Sequence, residues 1–175
     1  GYYLDAYNTW SSYGVESDGI AVFYTSVYGH TKKAVDLLVD KLNANGCPKT
    51  EVFDLARCDM SEATAAAFRY GKIILATTTY NADVFPFMKE FINHLTERNF
   101  CNRTVGFIEN GSWAPQATSV MHAMLSQCKG LTFAVHNVRI ISALDADSSA
   151  AVEQLAQEMC REYIVKQASA TNKND

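Results

Sequence analysis

The chain has 175 residues, 48% of them hydrophobic and 19% charged, the balance of a globular domain long enough to bury a core. Its formal charge of −4, from 15 basic and 19 acidic residues, offers no basic face for nucleic acid. No apolar run approaches the ~20 residues that cross a bilayer, and no basic leader with a cleavage site is visible. The five cysteines (Cys47, Cys58, Cys101, Cys128, Cys160) are odd in number and never spaced Cys-x-x-Cys. Reduced thiols in a cytoplasmic setting are expected, with no membrane partner and no zinc site.

Residues 1–19 read as an aromatic lead followed by a linker, the tail end of something larger. Ile20-Ala21-Val22-Phe23-Tyr24 is an unbroken apolar run with β-branched and aromatic members, the pattern of a strand buried on both faces. Helical spacing then begins at Thr31 on Ala34, Val35, Leu38 and Leu42, and Asn45-Gly46 supplies the stop. Residues 49–54 predict a second strand, 61–68 a short alanine-rich helix and 72–77 a third strand. Phe85, Met88, Phe91, Ile92 and Leu95 mark an amphipathic helix, and 104–108 a fourth strand. Ala117, Val120, Met121, Met124, Leu125 and Cys128 mark the next helix. Residues 131–141 form a fifth strand with an irregularity near Asn137, and the last helix runs from about 148 to 164. Residues 166–175 read as a polar, disordered tail.

Strands alternating with helices in this way predict an α/β fold, a five-stranded parallel sheet in the order 2-1-3-4-5 with helices on both faces. Ligands in such sheets bind beyond the C-terminal strand ends, at the switch point between strands one and three. After strand one the chain passes through Thr25, Ser26, Val27, Tyr28, Gly29 and His30 to Thr31. A hydroxyl-rich turn that opens a helix is a phosphate cradle, because the first N–H groups of the helix point outward and its dipole favours negative charge. A P-loop is excluded, since no lysine precedes Thr31, and so is a dinucleotide fingerprint, since Gly29 stands alone.

The loop after strand three contains Thr78, Thr79, Tyr80 and Asn81, and the loop after strand four Asn110, Gly111, Ser112 and Trp113. Each carries one large aromatic, Tyr80 or Trp113, and two aromatic faces flanking a slot suit a flat, electron-poor ring such as isoalloxazine. Backbone groups of Asn81, Gly111 and Ser112 are placed to bond the ring's edge, which tunes a flavin's potential.

With these motifs read, residues 20–165 resemble the flavodoxin family, whose phosphate loop has the form Ser/Thr-x-x-Gly-x-Thr matched by Ser26, Gly29 and Thr31. More narrowly, the chain resembles the C-terminal, flavodoxin-like half of flavodiiron proteins (A-type flavoproteins). That likeness rests on residues 24–31, on Thr77 to Asn81 followed by Phe85-Pro86, and on Glu109-Asn110-Gly111-Ser112-Trp113-Ala114-Pro115. The resemblance implies FMN, with residues 26–31 on its phosphate and residues 78–81 and 110–113 at its ring. It also implies electron transfer from a redox partner, rubredoxin-like or a flavin reductase, to a metallo-β-lactamase-like diiron domain that this chain lacks. A homodimer is expected of the full-length family. No side chain would do covalent chemistry, and none of the four histidines sits in a metal-binding spacing.

Two other readings share the fold. A stand-alone flavodoxin or an FMN-dependent NAD(P)H:quinone reductase would need the same cradle, the latter with a nicotinamide pocket. A signalling receiver would need acidic residues after strand one, where Thr25 and Ser26 stand.

Overall fold

The computed structural model describes residues 17–26, 29–80, 83–84, 86–111, 116–141 and 143–172, with the backbone alone at 79, 80, 83 and 84. Of the expected lead and linker, residues 1–19, the first 16 lie outside them.

Strands β1 (Ser17–Tyr24), β2 (Thr50–Asp54), β3 (Tyr70–Tyr80) and β5 (Thr104–Gly111) lie side by side in the order β2-β1-β3-β5, all parallel. The fifth position is filled by two short strands, β6 (Thr132–Phe133) and β7 (Val138–Ile141), both parallel to β5. The 2-1-3-4-5 expectation is met. An additional strand, β4 (Asp83–Val84), folds back antiparallel onto the end of β3.

Alternation along each strand divides the core between two faces. Ala21, Phe23, Ile73, Leu75, Val105 and Phe107 point to one side and meet three helices there: α2 (Met60–Arg69), α3 (Pro86–Glu97) and α4 (Ala117–Leu125). Phe23 anchors that side, stacked on Phe53 at 5.2 Å and tilted against Phe91 at 4.5 Å. Ile20, Val22, Ile74, Ala76 and Ile108 point the other way, towards α1 (His30–Ala44) and α5 (Ala146–Met159). On that face Gly106 lets α5 approach closely, since a Cβ there would stand 3.1 Å from Leu155 Cδ1.

The irregularity expected near Asn137 is a break in the edge strand. Ala134 N–H still bonds the Val105 carbonyl at 2.8 Å, but the next ladder bond is made by a side chain. Asn137 Oδ1 accepts the Phe107 N–H at 3.1 Å, and its Nδ2 donates to the Ala134 carbonyl at 3.1 Å. The Val135 N–H, turned out of the sheet, finds the Glu158 carboxylate of α5 at 2.7 Å. Every displaced backbone group named here has a partner, as burial beside a sheet requires.

Several boundaries differ from the sequence expectation. β1 begins at Ser17, three residues inside the expected linker, and β3 and β5 run on to Tyr80 and Gly111 because they pair with each other through Thr77↔Glu109 and Thr78↔Asn110. The last helix is two, α5 and α6 (Arg161–Asn172), divided at Cys160. The tail expected to be disordered from residue 166 is therefore helical through Asn172, its residues exposed. Tyr163 explains the continuation. It is buried, its hydroxyl donates to Asp18 at 2.9 Å, and it docks the first turn of α6 on the sheet. No helix among the described residues is long and apolar enough to cross a membrane.

Candidate functional site

The chain leaves β1 for one side of the sheet and returns through β3 on the other, so a crevice opens where these two strands part. Thr25 extends β1 by one bond, its N–H donating to the Ala76 carbonyl at 3.0 Å. Its hydroxyl lies 2.5 Å from that of Thr77, and the Thr31 hydroxyl of α1 lies 3.3 Å from that of Thr78. Thr25, Thr31 and Thr77 are buried. These hydroxyls stitch β1 and α1 to the end of β3 and point into the protein.

Ser26 differs. Its Oγ accepts the Lys32 N–H at 3.2 Å, capping the first turn of α1, which leaves the hydroxyl proton to be donated elsewhere. Gly29 holds the N-cap position in the left-handed conformation, φ 80° and ψ −2°. A Cβ there would meet none of the described residues within 4 Å, so among them the space beside the first turn is open. Lys33 N–H bonds the Gly29 carbonyl at 3.1 Å, but the N–H groups of His30 and Thr31 have no partner among the described residues. The first turn has no acidic side chain, and exposed Lys32 and Lys33 stand at the positive end of the dipole. An anion here would satisfy both N–H groups and offset both lysines. The residues present fit a phosphate.

The rest of the rim is built on strand ends rather than loops. Thr78 and Asn110 are register partners on the α1 side, and Asn110 is paired in turn with Ile140. Asn110 is buried, and Gly111 pairs with Ile141 at the sheet's margin. Thr79 and Tyr80 close β3 in backbone position. Of the other residues expected at the site, Val27, Tyr28, Asn81, Ser112 and Trp113 lie outside the described residues.

One network escaped the sequence reading. Glu109, buried at the end of β5, accepts from Thr118 N–H at 2.9 Å and from Arg139 Nε at 3.0 Å. It thereby caps the N-terminus of α4 from across the sheet and holds β7 beside β5. The available signal was a carboxylate closing an otherwise apolar strand. The histidines are dispersed: His30 opens α1, His94 contacts Arg98 on α3, His122 packs on Phe133 at 4.1 Å, and His136 meets Glu158 at 3.3 Å.

The anaerobic nitric oxide reductase flavorubredoxin of Citrobacter koseri is 20% identical over 170 residues, 97% of this chain and 35% of its own length. In structure the chain is similar to rubredoxin oxygen:oxidoreductase from Desulfovibrio gigas, with a TM-score of 0.82 and 18% identity over 94% of this chain and 41% of that one. Its sequence is similar to flavorubredoxins over nearly its whole length, and its fold to solved flavodiiron proteins. The chain spans about a third of the length of the curated flavorubredoxins it matches. A flavodoxin from the domain Archaea superposes with a TM-score of 0.71 and 14% identity over 82% of this chain and 97% of its own, so the chain has the flavodoxin-like fold. No protein-family model matches it.

Proposed function

We propose that this chain binds FMN and relays electrons, as the flavodoxin-like part of a flavodiiron protein, from a reduced redox partner to a diiron domain. The observation that carries the reading is the pair of N–H groups of His30 and Thr31, without a partner among the described residues and beside Gly29 at the switch point of the sheet. Residues 26–31 would hold the phosphate, through backbone N–H groups and the Ser26 hydroxyl. Thr78, Thr79, Tyr80 and Asn81 on one side and Asn110, Gly111, Ser112 and Trp113 on the other would hold the ring. FMN, when bound, supplies one- and two-electron redox chemistry. The protein's part is to bind and orient it and to keep water from its faces. Thr25 and Thr77 support the reading indirectly, since their bond fixes the loop on the strand that carries the opposite wall.

The electron source and sink are taken from what the similar proteins are called. One name joins rubredoxin to oxygen and another joins flavorubredoxin to nitric oxide reduction. A rubredoxin-like donor or a flavin reductase, and a metallo-β-lactamase-like diiron domain reducing oxygen or nitric oxide, are the partners this reading gives the chain.

Titration of the apo-protein into FMN, followed by quenching of flavin fluorescence, tests it with riboflavin as control. Two hydrogen bonds to a charged phosphate, at about 1.5–3 kcal/mol each, correspond to an affinity for FMN about a hundredfold or more above that for riboflavin. Equal, weak binding of the two would remove the cradle and with it the function.

A further inference from the structure

On the side of the sheet that Phe23, Leu75 and Phe107 share, the apolar core ends at one polar row. Thr25, Thr77, Glu109 and Arg139 stand next to one another across the sheet, Thr77 in register with Glu109 and Glu109 with Arg139. The two threonine hydroxyls tie β1 to β3 at one end of the row. Glu109 ties the other end. One of its oxygens accepts from Arg139 Nε at 3.0 Å and the other from the Thr118 N–H at 2.9 Å. Asn110 and Gly111 follow it directly on β5, and both belong to the wall proposed for the flavin ring.

Glu109 is only 4% exposed. A carboxylate so far from water persists only where it is paired and hydrogen-bonded, and here both oxygens are used. Its partners belong to two elements that need the support. β7 has four residues and is cut off from β6 by the break at Asn137. The N-cap of α4, Gln116, makes no side-chain capping bond, so Glu109 supplies to the Thr118 N–H what the helix's own cap does not. Glu109 precedes the β5–α4 connection and Thr118 lies just past its end, so one side chain fixes the spacing of both. Asn110, 5% exposed, has no hydrogen bond to its carboxamide from any described residue. Buried amides are ordinarily paired, which marks the end of β5 as a surface that a ligand completes.

We propose that Glu109 is a positioning residue for the flavin ring, acting through Asn110 and Gly111, which it holds at a fixed level between β3 and β7. This rests on the FMN reading and divides the binding energy within it. The phosphate cradle is built on β1 and α1, neither of which Glu109 bonds, so Glu109 governs the ring's part of the affinity and leaves the phosphate's part alone.

The test titrates FMN and riboflavin in parallel with the 175-residue chain carrying Glu109→Gln. The carboxamide has one oxygen for two donors, so it cannot keep both bonds. Both affinities should fall by the same factor, about tenfold, with the preference for FMN over riboflavin unchanged. At saturation the visible circular dichroism of bound FMN, which reads the ring's surroundings, should differ from that of the unaltered chain. Arg139→Gln, at an exposed position, should shift both affinities the same way by less, and it decides the matter if Glu109→Gln does not fold. Asp59→Ala is the control for stability alone. It removes the cap that accepts the Ser61 N–H at 2.8 Å on α2, an element without proposed flavin contacts, and should leave both affinities unchanged. Unaltered affinities and spectrum in the folded variant, or a fall for FMN only, overturn the proposal while FMN binding stands. Equal, weak binding of the two flavins by the unaltered chain overturns the FMN reading and the proposal with it.

Discussion

Ser26 and Thr31 carry the same functional group in one loop, yet the hydroxyls face opposite ways. Ser26 caps from the outside, whereas Thr31 is buried against Thr78. Ser26→Ala is therefore expected to weaken FMN binding about tenfold and leave riboflavin unchanged. Thr31→Val should cost about 1 kcal/mol of stability with little change in FMN affinity, because its N–H is what would meet the phosphate. Flavin titration and urea denaturation of both variants check this. The motif was legible in the sequence as Ser26, Gly29 and Thr31, but which hydroxyl turns inward depends on how β3 sits beside β1, and nothing local in the sequence states that. Tyr70 bears a second expectation. Burial, then the 2.6 Å bond to Glu51 and that carboxylate's charge, push its pKa up to about 12. The folded chain thus holds the phenolic proton more tightly than the unfolded chain, where it leaves near pH 10. This stabilisation is complete below pH ~10 and is lost as the pH climbs towards 12, about 3 kcal/mol in all. Urea midpoints measured across that window should fall, and Tyr70→Phe should remove part of the fall, with Tyr163, raised by burial and Asp18, keeping the remainder.

Among the elements, the broken edge strand and the divided last helix show where periodicity stops being informative. Apolar alternation marked residues 131–141 as one strand, and the ladder to β5 is indeed present at both ends, at Thr132 and at Val138. What divides it is the carboxamide of Asn137, which stands in for a backbone carbonyl, and the Glu158 carboxylate, which collects the Val135 N–H from a helix apart in sequence. Asn137→Ala leaves the Phe107 N–H and the Ala134 carbonyl unpaired beside the sheet, at a cost of about 2–3 kcal/mol in urea denaturation. Asn137→Asp keeps the acceptor and should lose less. Similarly, apolar spacing ran through Cys160 without a mark, because α5 and α6 bury the same side of the chain before and after the break. At the other margin, β3 and β5 outrun their apolar residues because each is the other's hydrogen-bond partner through Thr78 and Asn110. Polar composition suggested loops there. Pairing made strands.

For the whole molecule, the strand order was readable because an alternating strand–helix pattern with right-handed crossovers leaves few arrangements. The C-terminal end of the sheet carries the hydroxyls of Thr25, Thr77 and Thr78 and the N-terminus of α1. The break at Asn137 has a consequence outside the monomer. Edge strands are templates for a neighbour's backbone, and long, flat, apolar edges seed aggregates. Here one edge, β2, carries Glu51 and Asp54, and the other is cut into two short strands, with the exposed Val135 lifted out of line and Arg139 set in the second. Neither edge offers an uninterrupted row to a second chain. Straightening the strand by deleting residues 135–136 would present one, and the deletion variant should scatter light on warming at concentrations where the parent chain stays clear.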